Sequence, residues 1–369
     1  MSKIVVGISG GVDSSVAAHL LQKEGHEVIG CRMRTFDTEA SRKEEEASRE
    51  VCDTLGIPLF TVDFRKRFRE EVIALFASEY AKGRTPNPCC ICNRTVKWEA
   101  LLQCMREQKA DFVATGHYAR TGTAVSPETG EERFFVARAD SQKDQSYALY
   151  NLRQDEIRHT LFPLSRYKKE EIREMARSAG LLTADKPDSM EICFIPDNDY
   201  AAFLREQFGI ADCPGNYVDE EGKVLGRHQG IVHYTVGQRK GLGIALGKRI
   251  FVKEIRPLTN EVVLADDEDV FTDHLFLRDV NFQAVSGIPE DPSGLFSPLI
   301  KIRYADKGAP GRMTAVTDPS VGTEPDSACC RIDFERPVRA ASPGQAAVLY
   351  GDDGRILCGG TILGKNSLP

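Results

Sequence analysis

Short β-branched runs alternate with amphipathic stretches along the first two hundred residues of the chain. Ile4–Ile8, Glu27–Arg32, Leu59–Asp63 and Phe112–Thr115 read as strands. Helical patterns lie between them. In Glu44–Leu55 the apolar Ala47, Val51 and Leu55 recur at helical spacing, and the block Lys168–Ser178 stops at Gly180, ahead of Lys186-Pro187-Asp188-Ser189. This alternation predicts a parallel α/β sheet that binds its ligand beyond the carboxyl ends of its strands.

From about Pro214 the pattern changes to short strands broken by glycine: Asn216–Val218, Gly230–Thr235, Ile250–Ile255 and Glu261–Leu264. After Asp266-Asp267-Glu268-Asp269 come Leu299–Tyr304, Ala328–Phe334, Ala346–Tyr350 and Ile356–Gly360, with Thr317–Ser327 reading as an exposed loop. The expected organisation is an α/β domain over residues 1–203, a small β-rich domain over 204–268 and a C-terminal β-barrel-like domain over 269–369.

The first predicted strand runs into Ser9-Gly10-Gly11-Val12-Asp13-Ser14-Ser15, and a helical stretch follows. Glycines permit the turn, Ser14 or Asp13 can cap the helix, and its N-terminal amides would then face an anion. The string lacks the Lys of a Walker A loop and has Ser9 where a dinucleotide fingerprint needs Gly.

Composition narrows the setting. No apolar stretch approaches the roughly 20 residues of a membrane span, and the first apolar run is too short for a signal peptide. A cytoplasmic address is expected, in which the eleven cysteines serve as thiols, metal ligands or catalytic groups. The net charge of −7 argues against indiscriminate polyanion binding but leaves room for a local basic face. The turn Val236-Gly237-Gln238-Arg239-Lys240-Gly241-Leu242-Gly243 is one such place.

Three thiols, Cys89, Cys90 and Cys92, follow the rigid Pro86-Asn87-Pro88 corner. Cys193 stands in a mostly apolar run, where a buried small hydrophobe is an equal reading, and Cys104 lies in the helix Trp98–Glu107 as a core residue.

The string SGGVDS resembles the PP-loop of ATP pyrophosphatases, which split ATP between the α- and β-phosphates. Joined to RTPNPxxxCN near Asn87, ATGHYAR at Ala114–Arg120, KDQSYALY at Lys143–Tyr150, EICFIP at Glu191–Pro196, HYTVGQRKGLGI at His233–Ile244 and GQAAVLY at Gly344–Tyr350, it makes the chain similar to the tRNA-specific 2-thiouridylases. That resemblance implies an adenine nucleotide alpha hydrolase-like fold for the first domain. It also implies adenylation of the C2 oxygen of the wobble uridine, then sulfur attack with release of AMP. By resemblance, Cys92 attacks and Cys193 carries an incoming persulfide, and the two form a transient disulfide. ATP would be held by Gly7, Ile8, Ser9, Gly10, Gly11, Val12, Asp13 and Ser14, with Met33 and Gly116, and Asp13 is a candidate for Mg²⁺. The RNA positions implied are Asn87, Pro88, Cys89, His117, Lys143, Asp144, Gln145, Arg303, Tyr304 and Gln345. Implied partners are Lys, Glu and Gln tRNAs, and a cysteine desulfurase, a sulfur relay protein or sulfide as donor.

The chemistry of the residues agrees with this, because a poor electrophile must be activated before sulfur can displace its oxygen, and a thiol beside a cation or helix N-terminus would have its pKa lowered. One position departs from the pattern: Cys89 stands where the family commonly has Asp. Cys89, Cys92 and Cys193 form a trio of the kind that related thiolation enzymes use to hold a four-iron four-sulfur cluster, so a persulfide and a cluster both stand as sulfur carriers. Structural zinc lacks an assignable fourth ligand, and Cys90 is either that ligand or a bystander. Other functions weighed are a PP-loop amidating or adenylating synthetase for a small molecule, and a non-catalytic RNA- or metal-binding protein.

Overall fold

The computed structural model describes residues 1–126, 129–141, 143–186, 192–195, 199–288, 298–316 and 329–364. Its first domain is built on five parallel strands in the order Leu59–Asp63, Glu27–Arg34, Lys3–Gly7, Phe112–Ala114 and Thr160–Leu161. The two-residue period of Lys3–Gly7 divides two cores. Val5 points into the layer formed by Phe68, Phe76, Leu101 and Phe194, while Ile4 and Val6 point into the layer of Val16, Leu21, Val51 and Ile172. Both faces are thus covered, as the near-continuous apolar strands require.

Strand order reverses at Lys3–Gly7, which has Glu27–Arg34 on one side and Phe112–Ala114 on the other. The crevice at this switch point is where ligands bind in such sheets. The Ser9–Ser15 loop leaves one of the two flanking strands, and Thr115-Gly116-His117 leaves the other.

Pro88–Cys92, Asn93–Trp98 and Glu99–Gln108 form one unbroken helical run whose middle segment is π-helical. Its start follows from local chemistry: Asn87 Oδ1 accepts the Cys89 amide at 3.1 Å, and Pro88 occupies the first helical position, where it needs no donor.

The hairpin Ala119–Val125 with Glu132–Arg138, which the strand pattern did not predict, joins this domain to the barrel. The Arg138 amide donates to Gly354 O at 2.9 Å, and Val136 N donates to the buried Gln283 Oε1 at 3.0 Å. Helix Tyr200–Phe208 runs through position 203 and buries Leu204 in the first core.

The central sheet orders Phe251–Arg256, Glu261–Ala265, Gly215–Val218 and Val224–His228 around Tyr217, Val252 and Val262. The expected strand Gly230–Thr235 is instead a 3₁₀ turn, Ile231–His233, because Gly230 at φ 151 turns the chain and one turn already buries Val232 and Tyr234. The last domain is a closed antiparallel barrel: Phe271–Phe282, Cys329–Arg339, Ala309–Val316, Leu299–Lys301, Ala346–Tyr350 and Ile356–Ile362. The expected strand Leu299–Tyr304 ends at Lys301, and the expected loop Thr317–Ser327 lies outside the described residues. Among the described residues no helix is long and apolar enough to cross a membrane.

Candidate active site

Helix Val12–Lys23 begins at Gly11, which stands at the N-cap position without a side-chain cap. Neither Ser14 nor Asp13 caps it. Ser14 works within the loop: its hydroxyl donates to Gly11 O at 3.1 Å and accepts the Ser9 amide at 3.2 Å. Asp13 faces away from the turn, where Lys169 Nζ reaches both carboxylate oxygens at 2.7 Å and the Tyr118 hydroxyl donates at 2.7 Å. Lys186 Nζ donates to Gly10 O at 3.0 Å.

Two glycines fit here for steric reasons. Gly10 sits at φ +71, and a Cβ on it would stand 3.0 Å from Glu44 O. Gly116 was expected to let backbone approach a nucleotide. Its missing Cβ makes room for the loop, since a Cβ would lie 2.6 Å from Ser14 N and 2.7 Å from the Asp13 carbonyl carbon. Gly7 packs against Leu101, Ile8 and Val12 are buried, and half-buried Met33 packs against the first core, as do Phe36, Ile91, Cys92 and Ile192.

Cys92 packs against that core. Cys193 is exposed, while the next residue, Phe194, is buried with its ring 5.3 Å from Phe76 and 5.8 Å from Phe68. The apolar run therefore anchors through Phe194 and Ile195 and leaves Cys193 outside the core. Cys90 is buried beside Trp98, Tyr147 and Tyr150, and burial holds its thiol protonated. Cys104 is fully buried, as expected.

Cys92 and Cys193 are close enough to feel one another and Cys89 electrostatically. Desolvation, reinforced at Cys92 by Cys89 and at Cys193 by Cys92 and Cys89, pushes Cys92 up to about 11 and Cys193 up to about 12; because the Cys193 residue is exposed, the Cys92 shift is the firmer of the two. The expectation of a lowered pKa is thus overturned: Lys97 acts in that direction on both, and burial outweighs it.

Lys97 was not singled out in the sequence, although it follows Cys92 by five positions, the π-helical hydrogen-bond spacing. Its Nζ lies 3.5 Å from His117 Nε2, and Thr115 Oγ1 lies 2.8 Å from His117 Nδ1. Burial first and Lys97 second hold His117 neutral. The ring packs between Trp98 and Phe162, so His117 supports Lys97 from within the structure.

The other implied RNA positions divide in two. Asp144 is a loop clamp, accepting from Ala139 N, Ser146 N and the Ser146 hydroxyl. Gln145 exchanges two hydrogen bonds with the Tyr118 backbone, at 2.8 and 3.0 Å. Gln345 Nε2 donates to Thr85 O at 2.7 Å, so the barrel pins the loop ahead of Asn87. Arg303 and Tyr304 are exposed, and the Tyr304 hydroxyl donates to Asp144 O at 3.1 Å, which brings that turn beside Lys143. Arg239 and Lys240 are also exposed.

Three family models cover most of the chain: a tRNA methyl transferase HUP domain over residues 2–197, a tRNA methyl transferase PRC-barrel domain over 201–266 and an aminomethyltransferase beta-barrel domain over 283–362. The tRNA-specific 2-thiouridylase MnmA of Lachnoclostridium phytofermentans is 48% identical, covering 98% of this chain and 100% of that protein. Its counterpart in Carboxydothermus hydrogenoformans is 45% identical, over 98% of this chain and 97% of that protein. Among solved structures, the U34-tRNA thiolase NcsA from Methanococcus maripaludis with its four-iron four-sulfur cluster aligns at a TM-score of 0.35 and 19% identity, over 56% of this chain and 66% of that one, a likeness too distant to carry an argument about mechanism. With relatives this similar along nearly its full length, the chain belongs to the tRNA-specific 2-thiouridylase family.

Proposed function

We propose that this protein is a tRNA-uridine 2-sulfurtransferase that converts the wobble uridine of Lys, Glu and Gln tRNAs to 2-thiouridine at the expense of ATP. Family membership supports the reading. The observation that carries it is the electrostatic proximity of Cys92 and Cys193, which come from distant segments, with Cys92 and Met33 both packed against the first core and the Ser9–Ser14 loop at the end of strand Lys3–Gly7.

In the first step the uridine C2 oxygen bonds to the α-phosphorus of ATP, the bond to the β-phosphate breaks, and pyrophosphate leaves with the electron pair. Loop amides and the N-terminus of Val12–Lys23 stabilise that charge. Mg²⁺ accompanies ATP, and Asp13 is the loop's own acid. The outer sulfur of a Cys193 persulfide then attacks C2, and AMP departs with the C2 oxygen. The Cys92 thiolate next attacks Cys193 Sγ, the thiouridine sulfur takes the electron pair, and a Cys92–Cys193 disulfide remains. A thiol reductant reopens it. Alternatively, sulfide attacks Cys193 in that disulfide and regenerates the persulfide without an outside oxidant, and a cysteine desulfurase or a relay protein can reload the reduced thiol.

The exposed residues Lys143, Arg303 and Tyr304, with the Asn87–Cys89 corner, form the RNA face. His117, Asp144, Gln145 and Gln345 hold that face and the thiols in place. Cys89, Cys92 and Cys193 are soft donors suited to a four-iron four-sulfur cluster. Among the described residues, however, no three His, Cys, Asp or Glu side chains are grouped to hold a metal ion. The persulfide is therefore the carrier proposed here, and no step runs through a cluster.

The test is mass spectrometry of nucleosides from tRNA incubated with the protein, ATP, Mg²⁺ and a sulfide source. Cys92→Ser and Cys193→Ser should each abolish 2-thiouridine and still bind tRNA. Normal thiolation by either variant overturns the mechanism.

A further inference from the structure

The phosphate loop has no lysine of its own between Ser9 and Ser15, yet two lysines reach it from far along the chain. Lys169 opens helix Lys169–Ser178, its side chain is 8% exposed, and it holds both oxygens of Asp13. Lys186, beyond that helix, reaches the Gly10 carbonyl. A third cation lies behind the loop. Arg32, 5% exposed, donates to Ser48 Oγ at 3.3 Å, Ser48 Oγ donates to Ile8 O at 3.4 Å, and the buried Arg32 Nε has no hydrogen-bond partner.

These cations gather at the N-terminus of Val12–Lys23, which already carries about half a positive charge. Asp13 is the only acid within the loop, and Glu44 reaches Arg32 from the exposed side at 3.4 Å. Asp13 and Glu44 offset part of this charge, and what is left, with the positive end of the helix, favours an incoming anion. Resting on the ATP-dependent reading above, we infer that Lys169 and Lys186 are the polyphosphate-binding cations of this site. They take the β- and γ-phosphate oxygens of ATP and hold pyrophosphate as it leaves. Lys186 exchanges the Gly10 carbonyl for phosphate, and Lys169 bridges Asp13 and phosphate. Distance in sequence hides them, since nothing near Lys169 or Lys186 marks a phosphate site.

Titrating the full-length protein with magnesium pyrophosphate and with MgATP, without tRNA, tests this independently of thiolation. Lys186→Met and Lys169→Met should each weaken both ligands about tenfold, the scale of one charge-assisted contact. Lys186→Arg should keep most of the affinity, and the KM for ATP should rise while the KM for tRNA stays. Lys186 is exposed, so its variants report even if Lys169→Met fails to fold. Wild-type binding of both ligands with unchanged affinity in Lys186→Met overturns this inference alone. A wild-type protein that binds neither ligand overturns it together with the ATP-dependent reading.

Discussion

Gly116→Ala probes the joint between the two strand ends that frame the proposed ATP site. An alanine Cβ there would stand 2.6 Å from Ser14 N, 2.7 Å from the Asp13 carbonyl carbon and 3.0 Å from Asp13 Cβ. Ordinary contact needs nearly 1 Å more, and the atoms in the way are mostly backbone, which cannot rotate aside as a side chain would. The first turn of Val12–Lys23 must therefore move away from Thr115-Gly116-His117, stretching the Tyr118 bond to Asp13. Overpacking of this kind costs about 1–3 kcal/mol. Because the displaced atoms belong to the phosphate loop, part of that cost should fall on nucleotide binding. We expect the KM for ATP to rise about tenfold, with unfolding lowered by a few degrees and tRNA affinity unchanged. Gly287→Ala is the control, since a Cβ there would meet nothing within 4 Å. A Gly116→Ala enzyme with wild-type KM for ATP and unchanged unfolding would falsify the contact argument.

Two further predictions concern the thiols. With Cys92 near 11 and Cys193 near 12, both are protonated at neutral pH. Their alkylation by iodoacetamide, resolved by site with mass spectrometry, should climb about tenfold per pH unit from 7 to 10 and faster in wild type than in Lys97→Met; a plateau below pH 9 refutes the assignment of burial as the dominant cause. Cys89→Ala should keep its thiolation activity, and protein purified without oxygen should yield neither iron nor acid-labile sulfide in stoichiometric amounts; one cluster per chain, lost in Cys89→Ala together with activity, reverses the choice of sulfur carrier.

The strands of the first domain were legible because their apolar runs are buried on both faces and leave a continuous signature, as Ile4, Val5 and Val6 show. The hairpin Ala119–Val125 with Glu132–Arg138 was not, since residues such as Arg120, Thr121 and Gly122 carry little apolar signal and the pair is held by the barrel through Gln283 and Gly354. The turn Ile231–His233 shows the converse error. An apolar alternation was present, but Gly230 made a single turn sufficient to bury it.

The site divides along the same line. Motif residues were found because they are local strings, but their roles depend on neighbours that the strings do not contain. Asp13 reads as a cap or a metal ligand, and its partners Lys169 and Tyr118 come from elsewhere; His117 reads as an RNA contact, and its ring neighbours Trp98 and Phe162 lie well outside its own string. The thiols carry this furthest. Proximity to Lys97 favours a thiolate, and a sequence can suggest that much, but the desolvation that outweighs it is a property of the assembled core. Protonation and partial burial shield Cys92 from oxidation and stray alkylation, while Cys193 stays exposed. On the persulfide reading proposed above, reactivity comes with the substrate complex, in which the outer sulfur on Cys193 and a Cys92 paired with Lys97 act in place of two protonated thiols.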